Sequence, residues 1–226
     1  MSLNKVFLIL GRSNSGKDTI FKMILDDPEL LFINNIKQYT TRPRRINEED
    51  SYSFIDDSTF KEISADLAEY REYNAYIDDA NKNVWYYGTP SLQYTTGISI
   101  SNSHTIASAI SLISKYEDLI VPIYLYCDDD VLLKRALIEN LRGDNITEAR
   151  RRYTSDKYDY RYIDAMIRNE AIIYTTSEQM KEIRAISNLH SRAIIIDTSK
   201  KSKEEIFSQL KEELMKYSPT NDKNEE

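Results

Sequence analysis

Apolar residues along the chain gather into short runs separated by stretches of helical spacing, and the first run sets the pattern. Val6-Phe7-Leu8-Ile9-Leu10 is apolar without alternation, which predicts a strand buried on both faces. A glycine-bearing turn follows, and Thr19–Leu25 reads as helix. Leu31–Tyr39 leads into a strand-like approach to Thr40, and Arg42–Asp50 is charged loop. Ser51–Ile55 predicts a short strand, and Asp57-Ser58 would cap a helix from Thr59 to about Leu67. Glu69–Ile77 and Val84–Tyr87 predict two strands joined by a turn at Asp78–Asn83.

The strand–helix rhythm then resumes. Thr96–Ile100 predicts a strand and His104–Tyr116 a helix. Leu119–Tyr126 is the most apolar strand and suits a central parallel position. Asp128–Asp130 head a helix over Val131–Leu141, which Arg142-Gly143-Asp144-Asn145 breaks. A strongly charged helix begins at Thr147-Glu148. Ala171–Tyr174 and Ala193–Ile196 are β-branched runs that predict strands, each followed by a helical pattern, over 177–187 and 202–216. From Ser218 the tail is polar and predicted to fray. Alternation from end to end implies an α/β fold, a parallel sheet covered by helices on both faces. Residues 35–89, with short strands and polar turns, read as an inserted lobe, which leaves 1–34 and 90–217 as the core and 218–226 as a flexible tail.

Composition narrows the function classes. A chain of 226 residues with 41% apolar content supports one core domain plus such a lobe. A net charge of −7 argues against a general nucleic-acid binder. Arginines nonetheless cluster at Arg42, Arg44 and Arg45, and again at Arg142, Arg150, Arg151 and Arg152, as expected of sites that hold local anions. Cys127 stands alone, which excludes a disulfide scaffold or a cysteine zinc site and fits a reducing compartment; it is expected to pack. No charged start leads into an apolar stretch and no run approaches about 18 apolar residues, so a cytoplasmic protein without a membrane span is expected. His104, at a helix start, and His190, beyond a helix end, are expected to be structural or exposed. Asp128-Asp129-Asp130 are read as helix-capping residues, and Tyr158, Tyr160 and Tyr162 as filling a seam between the charged helix and the core.

The chemistry begins at GxxxxGK over Gly11–Lys17, set between the first strand and the first helix. In that context backbone N–H groups of Gly11, Ser13, Asn14, Ser15 and Gly16 curl round phosphate, the helix dipole adds favourable potential, and the Lys17 ammonium reaches the outer phosphates. A Ser or Thr that ligates Mg2+ is expected after the lysine, but Asp18 stands there. Either Asp18 meets the magnesium shell, directly or through water, or Thr19 supplies the hydroxyl.

Tyr39-Thr40-Thr41-Arg42-Pro43-Arg44-Arg45, with Glu48 and Tyr52-Ser53-Phe54, is the second signal, offering guanidinium forks, hydroxyls and phenols suited to a phosphate dianion. With the phosphate loop, and with Glu69-Tyr70-Arg71-Glu72-Tyr73 and Trp85-Tyr86-Tyr87-Gly88-Thr89, it resembles the guanylate kinase family, as far as about residue 155. The resemblance implies a P-loop kinase fold with an inserted monophosphate-binding lobe and a helical lid over 140–157. It implies transfer of the γ-phosphoryl of ATP, with Mg2+, to GMP or dGMP. Arg42 and Arg45 would grip the acceptor phosphate with Tyr52 and Tyr87, and Thr41 would belong to the substrate site. Glu69, or in a competing alignment Glu72, would face the guanine, and Thr89 would lie near the base pocket. Arg142 and one of Arg151 or Arg152 would clamp the moving phosphoryl group, since transfer between polyanions needs its charge neutralised and water excluded.

Two departures from the family bear on specificity. Where the family has a serine two positions before its paired threonines, this chain has Gln38, so Thr40 or Thr41 would supply that hydroxyl, or nothing does. Where the family has an Asp-x-Asp strand end, this chain has Ser99-Ile100-Ser101, and a serine accepts only weakly from a guanine edge. A broad-specificity (deoxy)nucleoside monophosphate kinase and a non-catalytic guanylate kinase-like binding module are the alternatives. Monomer or homodimer is left open.

Overall fold

Strand β1 (Lys5–Leu10) forms because five apolar residues in a row can be buried only between two layers, and it lies at the middle of a five-stranded sheet. The computed structural model describes residues 4–44, 52–76, 82–139 and 146–219. The sheet order is β2 (Ile33–Asn35), β7 (Ile98–His104), β1, β8 (Ile120–Tyr126) and β9 (Ile194–Asp197), and every pairing is parallel. The expected α/β parallel-sheet architecture is the observed one.

Helices cover both faces. On one, Phe7, Ile9, Ile123 and Leu125 meet helix α1 (Lys17–Asp26) and helix α8 (Lys203–Met215). On the other, Leu8, Leu10 and Tyr124 meet helix α3 (Ile106–Tyr116), helix α6 (Arg161–Ile167) and helix α7 (Ser177–Arg192). Capping boxes at Thr176–Gln179 and Ser202–Glu205 start α7 and α8.

A second sheet of four strands stands apart, in the order β4 (Tyr52–Phe54), β3 (Gln38–Thr40), β6 (Lys82–Thr89) and β5 (Glu69–Tyr76). Helix α2 (Asp57–Ile63) covers it, with Phe60 stacked on Tyr86 at 5.2 Å. Gly88 lets α2 and the turn after it approach, because a Cβ there would lie 3.2 Å from Phe60 Cζ and 2.4 Å from Leu67 Cδ1.

Several boundaries differ from the sequence reading. Strand β8 is interior but not central; β1 takes the middle place, and any interior parallel strand is buried on both faces. Asp56, not Asp57 or Ser58, caps α2, accepting from the Thr59 N–H at 2.7 Å, and the α-helix stops at Ile63 before a short 3-10 turn. His104 ends β7 rather than starting a helix, and Thr105 caps α3. His190 lies in the last turn of α7, which runs further than expected. Helix α4 (Asp129–Lys134) passes into a π turn over Arg135–Glu139. Ala171–Tyr174 is not a strand. It is a short exposed link, with Ile173 84% exposed and the following Thr175 tied to Gln179, while β9 takes the sheet edge beside β8. Ser218, where the tail was expected to fray, is buried. Tyr160 and Tyr162 fill the seam as expected, but Tyr158 is exposed under the Arg161 guanidinium. Cys127 packs, buried. Arg45, Glu48, the Asp78–Asn83 turn up to Asn81, Arg142 and the tail from Thr220 lie outside the described residues. Among the described residues no helix is long and apolar enough to cross a membrane.

The layer against α1 and α8 depends on Phe7, whose ring meets Tyr217 edge-on at 5.0 Å. Phe7→Ala should cost about 3–5 kcal/mol, a large part of a domain's usual stability. Urea unfolding followed by far-UV circular dichroism checks this; an unchanged midpoint would contradict the placement of Phe7 in the core.

Candidate active site

The glycine turn leaves β1 at the carboxyl end of the sheet. Gly11 has φ 145°, and a Cβ there would lie 2.7 Å from the Leu125 carbonyl oxygen and 2.7 Å from Ser15 Oγ. Gly16, left-handed at φ 97°, turns the chain into α1. The motif therefore forms the strand–turn–helix cradle in which amides and a helix N-terminus converge on one point. Lys17 Nζ folds back over it, donating to the Gly11 and Arg12 carbonyls at 2.7 and 2.8 Å. The Ser13 N–H donates to the Asp156 carboxylate of helix α5 (Ile146–Asp159). An anion acceptor thus already meets the loop.

Arg12, within the loop, is almost fully buried. It pairs with Asp129, lies 3.6 Å from Asp164 and stacks on Tyr153 at 5.3 Å. Asp129 is therefore an ion-pair partner of Arg12 and Lys157 rather than a cap. Asp128 stands at the N-cap of α4 without a side-chain cap bond and accepts from the Tyr126 hydroxyl at 2.9 Å. Among the described residues no cluster of three or more His, Cys, Asp or Glu is arranged to hold a metal.

Asp18 and Thr19 are both exposed in the first turn of α1. Asp18 Oδ1 accepts from Asn102 Nδ2 at 2.9 Å. Asn102 comes forward because β7 continues beyond its expected end and bulges, with Ser103 at φ 63°. Ser99 and Ser101 pair with Val6 and Leu8, further down the sheet, and both are buried. Ser101 Oγ lies 3.0 Å from His104 Nε2, so it belongs to an internal polar cluster. The strand residue that meets the loop is Asn102, not Ser99 or Ser101.

The second sheet faces this point. Arg42 is buried, with its guanidinium 5.6 Å from the Tyr52 ring centre and 5.5 Å from that of Phe54, and it donates to the Pro43 carbonyl at 2.8 Å. Tyr52 and Tyr87 meet edge-on at 5.8 Å. Burial first, then the charge of Asp18, pushes the Tyr52 phenol up to about 12. It remains a hydroxyl, and it is bonded to Ser103. Thr40 Oγ1 donates to the Tyr86 carbonyl and Thr41 Oγ1 accepts from the Tyr86 N–H, so both hydroxyls stitch β3 to β6.

Alternation along β5 separates the two candidate glutamates. Glu69, Arg71 and Tyr73 share one face, opposite Thr89, Tyr87 and Trp85. Glu69 accepts from Thr89 Oγ1 at 2.5 Å. Glu72 is exposed on the other face, opposite Tyr86, so it does not join Glu69. Gln38 is buried beside them, its Nε2 3.2 Å from Thr89 Oγ1 and from both ring nitrogens of His104. Burial, with the nearby Arg71 charge, holds His104 well below the usual imidazole range and therefore neutral.

Helix α5 closes over Tyr73. Arg151 donates to the Tyr73 hydroxyl with its guanidinium 4.7 Å from the ring centre, and Arg152 lies 6.0 Å from it. Both pair with Glu148, at 2.8 and 2.6 Å, while Arg150 is exposed. Sequence reasoning passed over Asn102, Arg71, Asp156 and Glu148. Two of these left a signal: Glu148 stands three and four residues before the arginines, and Arg71 alternates with Glu69.

No protein-family model matches the chain. It is 27% identical over 192 residues to a guanylate kinase of Mycoplasma genitalium, covering 82% of this chain and 74% of that one. It is 33% identical over 91 residues to a guanylate kinase of Prochlorococcus marinus, covering 39% and 45%. The crystal structure of guanylate kinase from Anaplasma phagocytophilum matches the fold with a TM-score of 0.55 at 16% identity, over 96% of this chain and 87% of that one.

Burial works against the Glu148 charge, but hydrogen bonds from Arg151 and Arg152 outweigh it and hold the carboxyl at about 2, below its ordinary 4.5. A depressed carboxylate stabilises the folded state above pH 4.5, and that contribution is lost as pH falls toward 2. Trp85, the chain's single tryptophan, stacks on Tyr73 at 6.4 Å and reports the clamp. Wild-type tryptophan emission should titrate in that acid window, and Glu148→Gln should abolish the step; an identical titration in the variant would count against the clamp.

Proposed function

We propose that the chain is a guanylate kinase, which transfers the γ-phosphoryl group of ATP to GMP or dGMP, giving the nucleoside diphosphate and ADP. One observation supports this above others: the start of α1 after the phosphate loop and the arginine–tyrosine cluster are tied to adjacent residues at the end of β7. Asn102 bonds Asp18 beside the loop, and its neighbour Ser103 bonds Tyr52 in the cluster. Donor and acceptor phosphates would thus meet across a span of two residues at the end of β7.

Each group has a task in this reading. The amides from Gly11 to Gly16 cradle the donor phosphates, and Lys17 exchanges its two loop carbonyls for β- and γ-phosphate oxygens. Thr19 adds a hydroxyl to the donor phosphates. Arg42, with Tyr52 and Tyr87, holds the acceptor phosphate, and Arg45 is proposed to join it. Tyr52, kept protonated, donates to a phosphate dianion and cannot repel it. Glu69 and Thr89 face the base. Arg151 and Arg152 bring positive charge to the moving group when polyphosphate competes with Glu148, and Arg142 is proposed to act with them. Closure of helix α5 over Tyr73 excludes water that would otherwise accept the phosphoryl group.

Mg2+ suits this donor set. It is commonly held by one or two carboxylates, substrate phosphates and waters rather than by an all-protein cage, and Asp18 offers one exposed carboxylate beside the cradle. When bound, the ion would neutralise charge on the β- and γ-oxygens. Residues 35–89 act as the monophosphate lobe and 140–157 as the lid. A cytoplasmic setting, where ATP is available, suits the reaction. Relaxed base choice and a purely binding role are not favoured, because the relatives are guanylate kinases and the cradle keeps its lysine.

ADP formation against GMP, dGMP, AMP, CMP, UMP and dTMP tests the assignment, with turnover expected for GMP and dGMP. Folded protein inactive on the whole panel would overturn it. Lys17→Ala should lower kcat by about 10²–10³-fold, the usual loss on removing one preorganised charge-stabilising donor. Arg42→Ala should raise KM for GMP about tenfold or more and leave KM for ATP little changed. Equal effects on both substrates would remove Arg42 from the acceptor site.

A further inference from the structure

Arg71 is absorbed by no role above, although it lies between the acceptor cluster and the buried polar groups. It pairs in register with Tyr87 across β5 and β6, and its guanidinium lies 5.2 Å from the Tyr87 ring centre. One bond is well made, from Nη2 to the Ser103 carbonyl at 2.9 Å. Its contacts to Glu69 Oε1 and Gln38 Oε1 are both 3.4 Å. Charge-assisted bonds normally settle near 2.7–2.9 Å. The fork is therefore fixed at its Ser103 end and held loosely toward the base side.

We propose that Arg71 is a specificity-determining residue that reads the O6 and N7 acceptors of a 6-oxopurine monophosphate while Glu69, beside it on the same strand face, accepts from N1–H and the 2-amino group. This deepens the kinase reading and rests on it. The order of chemical groups matches: along one continuous edge, guanine presents two donors and then two acceptors, and the strand presents a carboxylate and then a guanidinium. An arginine fork spans O6 and N7 in a bidentate contact. Adenine places an amino donor where guanine has O6, so its edge would meet the fork donor to donor, and pyrimidines have no N7. Rejection follows from polar groups left unpaired. This supplies the base discrimination that Ser101, enclosed against His104, does not.

Gln38 is the positioning residue. Its Oε1 faces Arg71 and its Nε2 faces Thr89, which in turn bonds Glu69. Because His104 is neutral, the cluster behind Gln38 adds no second positive charge to compete with the fork.

The test compares GMP with 7-deaza-GMP, in which carbon replaces N7, in wild-type protein and in Arg71→Gln, by steady-state turnover and by calorimetric binding of the monophosphate alone. Wild type should lose about tenfold in kcat/KM on the 7-deaza compound, mainly through KM. Arg71→Gln should lose about tenfold or more on GMP and treat the two compounds alike. Arg71→Lys, a point charge without the fork, should recover only part of the discrimination. Equal use of both compounds by wild type overturns the proposal without any variant having to fold. So does an Arg71→Gln protein that still prefers GMP over its 7-deaza analogue, or one that loses both equally from an undiscriminating wild type, which would make Arg71 a phosphate contact. Wild type that binds and phosphorylates no monophosphate overturns the kinase reading, and this with it.

Discussion

Everything at the site depends on how closely the turn after β1 approaches β8. The 2.7 Å separation between a Cβ imagined on Gly11 and the Leu125 carbonyl leaves room for a hydrogen atom and nothing larger. That contact holds the turn down on the sheet, so the amides after it point at one place and α1 starts at a fixed angle. The apolar filling of β1 and its neighbours serves the same end. A strand buried on both faces cannot slide without exposing its side chains, so the loop at its end inherits the rigidity of the core.

A second constraint joins the two sheets. Gln38, Glu69, Thr89, Ser101, Ser108 and His104 form a chain of polar groups between the second sheet and the end of β7. Buried polar groups are costly unless partnered, and here the partners come from β3, β5, β6, β7 and α3. The network thus fixes the second sheet relative to the sheet that carries the loop. Its neutral imidazole matters for the same reason, since a buried charge at that point would add a desolvation cost with no carboxylate beside the ring to offset it.

Much of this was legible in the sequence, for identifiable reasons. The five-residue apolar run and the glycine spacing mark β1 and its turn because each is a local requirement of backbone and solvent. Arg42 with Tyr52 was legible from composition within a short segment, and the resemblance sharpened it. What escaped was set by tertiary register. Asn102 reaches Asp18 only because β7 bulges at Ser103, and a one-residue irregularity leaves no trace in hydropathy. The burial of Ser101 follows from its pairing with Leu8, not from its own polarity. Ala171–Tyr174 has the residue types of a strand but lacks a sheet edge to join. Asp129 sits where a helix cap belongs, yet it answers a charge more than a hundred residues away.

That last pairing illustrates how an acidic chain manages its guanidiniums. Arg12 is matched by Asp129 and Asp164, Arg151 and Arg152 by Glu148, and Arg71 by Glu69. A carboxylate partner lets a guanidinium stay desolvated and oriented before any ligand arrives, and stripping away the partner would leave an uncompensated buried charge. Phosphate is a better partner than carboxylate for the same fork when it brings more charge to it. On the proposed function, phosphate entry at α5 would therefore be an exchange of anions, with Glu148 released as phosphate is taken. Asp156 at the Ser13 amide follows the same logic on the loop side. A negative net charge is thus compatible with the proposed anion-binding site: the carboxylates hold its cations and amides in place, and a more highly charged anion would displace them.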